Sequence, residues 1–586
     1  MMDREFPAGV RKPARYIGNE WNVSKKSFEA AKIKFALCFP DLYEVGMSNL
    51  GIRILYSKLN MIPDVCCERV FVPDIDMQQV LRDNKRPLFS LESGRDIKDF
   101  DILGFSIGYE LSYTNVLSVL DLAGMPLESA SRGREFPLVI AGGCACLNPE
   151  PMHEFVDLFF IGEAEEAANE LMDAYAQHSD EYKKGLISKK DLLLALARIE
   201  GVYIPSFYDC EYSQDGSLKS FKPNISGAPA SIKKRIVNDL DACGLPDKWV
   251  VPYIQIIHDR ITVEISRGCP NTCRFCQARS CYYPLRYRKP QSVLDWSRKY
   301  FSQTGYDEIS LAGLSVSDYP GLEGLLGQLV ETFKNRGVSI SLPSVKPKSF
   351  LGCASALIAT VKKTGLTFAP EAATSSLRRT IGKDFDEAEF FTMLEEVYKA
   401  GYQHVKLYFM IGLPGETDED IEAIADFSRR VCVLRKTCAG SNAQVNVSIN
   451  TVIPKPHTPF QWLGMMGLDR VQEAHKLLLS KAVGRKIKIS FHDSRMNFLE
   501  GVFSRGDRRL SAVIKAAYSK GCRFDGWSEH FNFGSWTDAF AQAGIDPAMY
   551  QRERRPDELL AWDFIDTGIP KDVLAREYLA MKSDCK

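Results

Sequence analysis

The sequence predicts an α/β protein with more than one domain. Short apolar runs of strand length alternate with helix-length segments in two separate blocks, residues 1–185 and 249–485. Strands separated by helices form parallel sheets covered by helices, and their sequences read as short continuous apolar runs. The length of 586 residues also exceeds what one hydrophobic core supports. We therefore expect two successive α/β domains, followed by a small, mainly helical C-terminal domain at 486–586.

The composition is that of a soluble globular protein, with 45% hydrophobic and 25% charged residues. A formal net charge of −1 provides no overall field that would attract nucleic acid. The sixteen cysteines are scattered, which favours a reducing compartment over a disulfide framework. No apolar run approaches the ~18 residues of a membrane span, and the charged N-terminus has no apolar signal segment. These features predict a cytoplasmic protein without a membrane segment.

The first domain, residues 1–185, is predicted to be a doubly wound parallel sheet. Helix-length segments separate its strand-like runs, and ligands of such sheets bind at the carboxyl ends of the strands. The predicted strands are 32–39, 66–72, 101–107, 137–141 and 157–161.

Glycines follow two neighbouring strands of this predicted sheet. Gly142 and Gly143 come after the fourth strand, and Gly162 and Glu163 come after the fifth. Glycine allows a ligand to approach the backbone closely, but the same residues are also common in ordinary turns. The spacing alone leaves both interpretations open.

A connecting segment at 186–248 precedes the second domain, and Asp215-Gly216 predicts a hairpin within it. The second domain, 249–485, has six strand-like runs, each separated from the next by a helical segment. These runs are 262–266, 308–312, 339–342, 366–369, 404–411 and 446–453. From Lys488 onward the sequence is interpreted as helical and rich in aromatic residues.

Three closely spaced cysteines follow the first strand of the second domain. Cys269, Cys273 and Cys276 have the spacing CxxxCxxC within the segment RGCPNTCRFC. Three thiolates on such a short loop can bind one face of a 4Fe-4S cluster and leave the fourth iron without a protein ligand. A zinc site is the alternative, since Cys281 lies five residues further on and zinc usually takes four ligands.

This cysteine loop resembles the signature of the radical S-adenosylmethionine enzymes. In that family the open iron binds the amino and carboxylate groups of S-adenosylmethionine, which is reductively cleaved to a 5′-deoxyadenosyl radical. The resemblance implies that the six βα units form a partial (β/α)6 TIM-like barrel, with active residues at the carboxyl ends of the strands. It also implies an external electron donor of the flavodoxin or ferredoxin type.

The resemblance further implies an S-adenosylmethionine site at the strand ends of the barrel. The segment after the second strand stands where the family has a glycine motif, although the acidic member of that motif is missing. Glu371 is either a ligand of the cofactor or a cap of the following helix. Alternating residues on the fifth strand share one face. The implied residues are Gly313, Ser315, Glu371, Lys406, Tyr408 and Asn450.

A second resemblance favours a ligand-binding role for the glycine loops of the first domain. A GG…P-E…GE-x-E run ahead of a radical loop is similar to the cobalamin-binding domain of cobalamin-dependent radical enzymes. It implies that cobalamin binds near Gly142, Gly143, Gly162 and Glu163. The motif D-x-H-x-x-G, which supplies a lower axial histidine in some cobalamin proteins, does not occur. The lower face of the cobalt therefore has no assigned ligand.

The expected activity is a radical modification of an unactivated carbon, with methyl transfer from cobalamin as the first hypothesis. A tRNA-modifying methylthiotransferase is an alternative, but such enzymes normally carry a second cysteine-bound cluster in the N-terminal domain. A non-catalytic RNA-binding or assembly protein is a further alternative, because stacked aromatics in the C-terminal domain could bind RNA bases. The sequence indicates neither the substrate (small molecule, RNA or protein) nor the oligomeric state.

Overall fold

The computed structural model describes residues 9–342, 366–481 and 484–585. The chain forms two compact units that are interleaved in sequence. Unit 1 comprises Met1–Asp259, Val502–Tyr550 and Asp557–Thr567, and unit 2 comprises Arg260–Gly501, Gln551–Pro556 and Gly568–Lys586. The residues predicted as a separate C-terminal domain, 486–586, are thus divided between the two units. Among the described helices, none has the length and apolar character of a bilayer span.

Unit 1 is built on a six-stranded sheet with the order β2-β1-β3-β4-β5-β6. Strands β1 to β5 are parallel, as predicted, and the short β6 is antiparallel to β5. The strands are β1 (Ile33–Phe39), β2 (Val65–Phe71), β3 (Ile102–Ser106), β4 (Leu138–Gly142), β5 (Leu158–Phe160) and β6 (Val202–Tyr203). The helices are α1 (Tyr43–Gly46), α2 (Leu50–Met61), α3 (Ile75–Asp83), α4 (Tyr113–Leu122), α5 (Ala167–Lys183) and α6 (Lys189–Leu196).

The sheet of unit 1 is covered on both sides, which explains the continuous apolar runs of its strands. All seven residues of β2 are buried, including the charged Arg69. The Arg69 guanidinium lies 2.7 Å from a carboxylate oxygen of Glu20 and 2.7 Å from one of Glu92, so the buried charge is paired. The strand order reverses direction between β1 and β3, and the ligand crevice of a doubly wound sheet lies at such a reversal.

The connecting segment and part of the C-terminal region complete unit 1. The predicted hairpin is present as β7 (Tyr208–Tyr212) and β8 (Leu218–Pro223), which are antiparallel. β9 (Ile232–Lys233) pairs with β19 (Ile565–Asp566). The other helices of this unit are α7 (Leu240–Cys243), α16 (Leu510–Ser519), α17 (Phe533–Ala543) and α18 (Ala548–Gln551). The last residue of α18, Gln551, opens the second segment of unit 2.

Unit 2 contains two fully parallel sheets, β10-β13-β14 and β15-β16-β17-β18. The strands are β10 (Ile261–Glu264), β13 (Glu308–Ala312), β14 (Ser339–Ser341), β15 (Leu366–Glu371), β16 (His404–Ile411), β17 (Gln444–Thr451) and β18 (Ile487–Phe491), with a short antiparallel pair β11 (Ser266–Arg267) and β12 (Arg286–Tyr287). The helices are α8 (Ala278–Cys281), α9 (Pro290–Thr304), α10 (Leu322–Phe333), α11 (Ser375–Thr380), α12 (Glu387–Lys399), α13 (Asp418–Ala439), α14 (Leu468–Lys481), α15 (Ser494–Arg505, which runs into unit 1) and α19 (Lys571–Asp584).

The seventh parallel strand, β18, corrects the sequence interpretation. Residues 488–491 were expected to be helical, but Ile487–Phe491 pairs in parallel with β17. The segment I-K-I-S-F alternates with the period of a strand, and the neighbouring edge of β17 offers hydrogen bonds that the local sequence does not reveal. The six predicted strands of this domain are all present.

Candidate functional site

The cysteine loop is held at the carboxyl end of β10. β11 and β12 pair on either side of it, so Arg267 lies opposite Arg286 and the two ends of the loop are fixed. Gly268 has φ +92°, and a Cβ at this position would lie 2.7 Å from the Leu285 Cα. Only glycine tolerates that combination of backbone angle and close approach.

The three cysteines of the loop lie within electrostatic reach of one another. Burial raises the pKa of the Cys273 thiol to about 11, the neighbouring Lys383 opposes that rise, and the negative charges of Cys276 and Cys269 add to it. Burial also raises the pKa of Cys276. The Asn271 amide donates a hydrogen bond to the Cys269 sulfur at 3.2 Å. Because only thiolates bind metal, a bound cationic centre is needed to deprotonate this set at neutral pH.

The arrangement of the thiols favours a cluster over a zinc ion. In the described ranges, no three His, Cys, Asp or Glu side chains converge on a single-ion site. Zinc needs its sulfurs at about 2.3 Å from one centre, whereas a 4Fe-4S cluster gives each thiolate its own iron and keeps the sulfurs apart. Three thiols on one short loop match the number of protein ligands of a cluster with one iron left open.

Contacts with two other segments of unit 2 anchor the cysteine loop. The Arg274 backbone N–H donates to the Ile381 carbonyl at 2.9 Å, and its guanidinium donates to the Thr380 carbonyl at 2.8 Å. Arg279 makes a two-pronged ion pair with Glu577 of α19 at 2.7 and 2.8 Å. The sequence analysis missed these anchors because their acceptors lie about one hundred and three hundred residues further along the chain.

Glu371 occupies the carboxyl end of β15 in a left-handed conformation, φ +67°. This region is costly for a residue with a side chain and is found where the surroundings impose it, often at functional sites. The carboxylate accepts a hydrogen bond from Lys383 Nζ at 2.8 Å. Burial raises the pKa of Glu371, and Lys383 opposes that rise. Lys383 also acts on Cys273, so Glu371 lies on the cluster side of β15.

Gly313 and Ser315 lie directly after β13, which belongs to the same sheet as β10. A Cβ at Gly313 would come within 2.6 Å of the Ser266 hydroxyl, so glycine is needed for this close packing beside the cysteine loop. The Ser315 hydroxyl donates to a carboxylate oxygen of Asp318 at 2.6 Å. Asp318 thus supplies a carboxylate in the segment that lacks the acidic member of the family's glycine motif.

The less buried face of the second sheet of unit 2 carries Lys406, Tyr408 and Asn450. In β16 the odd-numbered residues, 405 to 411, are buried, while Lys406 is exposed and Tyr408 half-buried. The Lys406 ammonium lies 4.6 Å from the centre of the Tyr408 ring. Asn450 is one residue from the carboxyl end of β17, whereas Lys406 is only the third residue of β16. Asn450 is therefore near the cofactor end of the sheet, and Lys406 lies deeper.

In unit 1, the predicted glycine loops have definite packing roles. Gly143 has φ +110°, and a Cβ there would lie 2.4 Å from the Ile107 carbonyl oxygen. Gly162 has φ +119° and packs in the same way against the backbone of Arg235. The buried Glu163 carboxylate accepts a hydrogen bond from the Val237 N–H at 2.8 Å. Gly162 and Glu163 thus contact the connecting segment, and both Gly143 and Gly162 are exposed.

The N-P-E-P segment after β4 also binds part of the chain itself. The Asn148 amide donates to the carbonyls of Ser504 and Gly506 at 3.0 and 2.9 Å. Glu150 pairs with Arg508 at 2.6 Å. Sequence reasoning did not find this role, since the motif and the segment it binds are about 350 residues apart.

Three exposed glycines mark the open part of the carboxyl edge of this sheet: Gly108, Gly143 and Gly526. Gly143 packs on the backbone of Ile107, and a Cβ at Gly526 would lie 3.3 Å from the Tyr109 ring. We call these three glycines with Tyr109 the glycine surface. Its lack of side chains at three positions leaves room for a flat ligand to approach the backbone.

The loop after β1 shows what stands at the position of the missing axial histidine. Asp41–Gly46 reads DLYEVG, which matches D-x-H-x-x-G except that Tyr43 replaces the histidine. Tyr43 is buried, and its hydroxyl donates to Glu20 at 2.8 Å. The Asp41 carboxylate accepts from the indole N–H of Trp527 at 3.0 Å. Both side chains thus have hydrogen-bond partners within unit 1, and the loop contains no imidazole.

Two family models match the chain, in agreement with the cysteine loop. The model described as "Radical SAM proteins, N-terminal" matches residues 51–205, and the model "Radical SAM superfamily" matches residues 263–428. Together the matched ranges span more than half of the 586 residues. The chain is a radical SAM protein.

Relatives of this radical SAM protein include an uncharacterized protein of Methanocaldococcus jannaschii. It is 27% identical over 488 residues, which cover 83% of this chain and 91% of that protein. The tRNA-2-methylthio-N(6)-dimethylallyladenosine synthase of Staphylococcus epidermidis is 24% identical over 29% of this chain and 35% of the synthase. The chain therefore spans only about a third of the methylthiotransferase that it matches.

Two solved structures show a distant likeness to this radical SAM protein. The cobalamin-dependent radical enzyme OxsB has a TM-score of 0.47 at 12% identity and covers 94% of this chain and 80% of its own. The methyltransferase TsrM from Kitasatospora setae has a TM-score of 0.45 at 13% identity and covers 71% of this chain and 74% of its own.

Three of the cysteines of unit 1 lie in strands of its sheet. Cys38 lies in β1, Cys66 and Cys67 lie in β2, and all three are buried. Burial raises the pKa of each of these thiols. Their positions in the strands of the sheet are those of ordinary packed cysteines.

Proposed function

We propose that this radical SAM enzyme holds a 4Fe-4S cluster on Cys269, Cys273 and Cys276 and uses S-adenosylmethionine and cobalamin to modify an unactivated carbon, with methyl transfer as the reaction. The observation that carries the proposal is the loop of three thiols fixed at the carboxyl end of β10, beside Glu371 and Gly313. When bound, the cluster supplies the electron that cleaves S-adenosylmethionine, and cobalamin supplies the methyl group.

The residues at the strand ends have roles in binding S-adenosylmethionine. Glu371 accepts a hydrogen bond from the cofactor amino group or a ribose hydroxyl, and the ion pair with Lys383 offsets part of the cost of burying its carboxylate. The absence of a side chain at Gly313 leaves the backbone carbonyls of that segment accessible to the methionyl end. Ser315 and Asn450 complete the polar edge. The protein thus orients the cofactor and excludes water, while the cofactors carry the chemistry.

Cobalamin in this proposal rests on the glycine surface of unit 1. Gly108 follows β3, beside the reversal of strand order between β1 and β3, and Gly143 follows the adjacent β4. These two glycines and Gly526 are exposed. The buried Tyr43 at the histidine position of the motif leaves no imidazole from that loop for the lower face. We therefore expect cob(II)alamin in this protein to show an EPR spectrum without nitrogen superhyperfine coupling from a protein histidine.

Anaerobic reconstitution of the full chain tests the cluster. Replacing Cys276 by Ala should abolish the ~400 nm absorption and the formation of 5′-deoxyadenosine, because each thiolate is one of only three ligands. Cys281→Ala is the matched control and should retain the cluster and the cleavage activity. Loss of the cluster in Cys281→Ala would mean that four cysteines bind the metal and no iron is open.

A graded substitution tests the cobalamin site. Gly108 is exposed and a Cβ there would meet nothing within 4 Å, so Gly108→Ala and Gly108→Val should fold normally. Both should lower the cobalt retained per chain after desalting, and Val more than Ala, because the added atoms fill the surface on which the corrin lies. Gly327→Ala, on α10 and equally open, is the control. Unchanged cobalt in both Gly108 variants would contradict this placement.

A further inference from the structure

The second sheet of unit 2 has one face that does not follow the usual pattern of a parallel sheet. Central parallel strands are normally apolar on both faces, and βα barrels fill their interior with branched apolar side chains. In β16 and β17 only one face does so, with Val405, Leu407, Phe409, Val447 and Ile449 all nearly fully buried. The opposite face is polar and open.

The polar face is organised in layers across the four strands. In one layer, Thr367, Lys406, Asn446 and Lys488 stand opposite one another on β15, β16, β17 and β18, and all four are exposed. The next layer toward the carboxyl ends places Tyr408 beside Ser448 and Ser490. We call these seven residues the polar face.

The polar face carries positive charge that no described carboxylate neutralises. The ion pairs found in the described residues include neither Lys406 nor Lys488. The Glu371 carboxylate, at the carboxyl end of β15, is already paired with Lys383. The Lys406 ammonium rests against the Tyr408 ring at 4.6 Å, so it leans toward the carboxyl ends of the strands, where the cluster loop lies.

The residue types favour phosphate as the anion. Lysine presents a point charge with three donors, whereas planar carboxylate recognition usually relies on the fork of arginine. The Ser448 hydroxyl and the Asn446 amide lie on β17, between the two lysine-bearing strands, and can donate to the oxygens of a tetrahedral group. The Ser490 hydroxyl donates to the Val447 carbonyl at 3.2 Å. A parallel sheet positions these donors on rigid strands, and two cations separated by one strand suit a group with more than one negative charge.

We propose that the polar face binds a small phosphorylated substrate, with Lys406 and Lys488 as the specificity-determining residues. This inference rests on the proposed function and extends it to the class of substrate. It assigns Lys406 and Tyr408 to the substrate rather than to S-adenosylmethionine, consistent with their depth in the sheet. The phosphate anchors one end of the molecule, and the carbon to be modified lies toward the carboxyl ends of the strands.

Calorimetric titration of the reconstituted full-length enzyme with pyrophosphate, in the presence of saturating S-adenosylmethionine, tests this assignment. The wild type should bind pyrophosphate, and Lys406→Met and Lys488→Met should each lower the affinity about ten-fold or more through loss of a charged hydrogen bond. Lys399→Met, whose lysine pairs with Glu395 and Glu396 on α12, is the control and should bind as the wild type does. Cluster content and S-adenosylmethionine affinity should be unchanged in all variants.

Four results would overturn the proposal. The first is pyrophosphate binding that is equal in the wild type and both variants, or no pyrophosphate binding by the wild type. The second is competition between pyrophosphate and S-adenosylmethionine. The third and fourth are tighter binding of citrate than of pyrophosphate and tighter lysine-dependent binding of an RNA oligonucleotide. The titration needs neither reductant nor turnover. Its failure is therefore distinguishable from failure of the radical activity, which the formation of 5′-deoxyadenosine reports separately.

Discussion

At the scale of single residues, Glu371 combines three features that rarely occur together by chance. It has a left-handed backbone, a largely buried carboxylate and a lysine partner that also influences a cluster cysteine. Helix α11 follows it, but the residue at the N-cap position is Thr374, so Glu371 is not needed to cap that helix. In the proposed function, this backbone conformation places the carboxylate at the edge of the sheet where S-adenosylmethionine binds.

Replacing Glu371 by Gln tests that role. The substitution keeps the volume and removes the charge, so the affinity for S-adenosylmethionine should fall by about ten-fold, as expected for the loss of a charged hydrogen bond. Equilibrium binding to the reconstituted enzyme measures the effect, and the absorption of the cluster should persist. Glu389→Gln, an exposed glutamate at the start of α12, should bind as the wild type does. Unchanged affinity in Glu371→Gln would assign Glu371 a purely structural role.

Asp525 provides a pH-dependent test of the C-terminal part of unit 1. Its buried carboxylate accepts hydrogen bonds from Thr114 and Trp536, yet burial raises its pKa to about 6. The folded state therefore holds this proton more tightly than the unfolded state, for which the ordinary value is 3.8. Its contribution to stability is present below pH 4 and is lost as the pH rises to about 6.

Asp525→Asn should remove this dependence. The difference in the free energy of unfolding between Asp525→Asn and wild type should shift in favour of the variant between pH 4 and 6, by about 3 kcal/mol for a change of roughly two pKa units. Denaturant titrations across this pH range measure it. A difference that stays flat with pH would mean that Asp525 is ionised throughout.

At the scale of helices and strands, local patterns predicted most elements, and partners from distant sequence account for the exceptions. β1 to β5 were predictable because both faces of each strand are buried and the runs are apolar. β18 was not, because its alternating polar residues face the open side of the sheet and its pairing with β17 is a tertiary contact. Likewise the cysteine spacing predicted the cluster loop, whereas Lys383, Asp318 and Glu577 are known only from the fold.

Helix α19 allows a test at this scale, because its Glu577 pairs with Arg279 in the segment that follows the third cysteine. Glu577→Gln should weaken the ion pair with Arg279 and accelerate loss of iron to a chelator about three- to ten-fold; the lower end reflects screening of a partly exposed pair. Asp572→Asn on the same helix is the control, since the Arg576–Asp572 pair is about three-quarters exposed. Equal rates of iron loss in both variants would mean that α19 does not stabilise the loop.

At the scale of the whole molecule, the chain builds each unit from segments far apart in sequence. A sequence pattern locates helices and strands but does not indicate which core they join, so 486–586 was predicted as one domain although its parts belong to both units. The N-P-E-P segment shows why. Its Asn148 and Glu150 bind residues 504–508. The resemblance to cobalamin-binding domains had included this segment in the run of residues expected near cobalamin.

Substitutions in the ion pair between Glu150 and Arg508 test how strongly the segment 502–550 stabilises unit 1. The Glu150 carboxylate is almost fully buried and lies 2.6 Å from the guanidinium, and the Tyr203 hydroxyl hydrogen-bonds to both groups. Removing one partner of a buried pair leaves an uncompensated charge and typically costs about 3–5 kcal/mol. Arg508→Met should therefore lower the free energy of unfolding of unit 1 by about that amount, while Lys520→Met, an exposed residue just after α16, should change it little.

The double variant Glu150→Gln/Arg508→Met distinguishes a true ion pair from simple loss of packing. With the charge of Glu150 also removed, the double variant should be more stable than the sum of the two single effects predicts, because no unpaired carboxylate is then buried. Denaturant unfolding monitored by tryptophan fluorescence, with Trp536 of α17 as a buried probe in unit 1, provides the free energies. If the single effects simply add, Glu150 and Arg508 act independently, and their ion pair does not contribute to holding the segment 502–550 in unit 1.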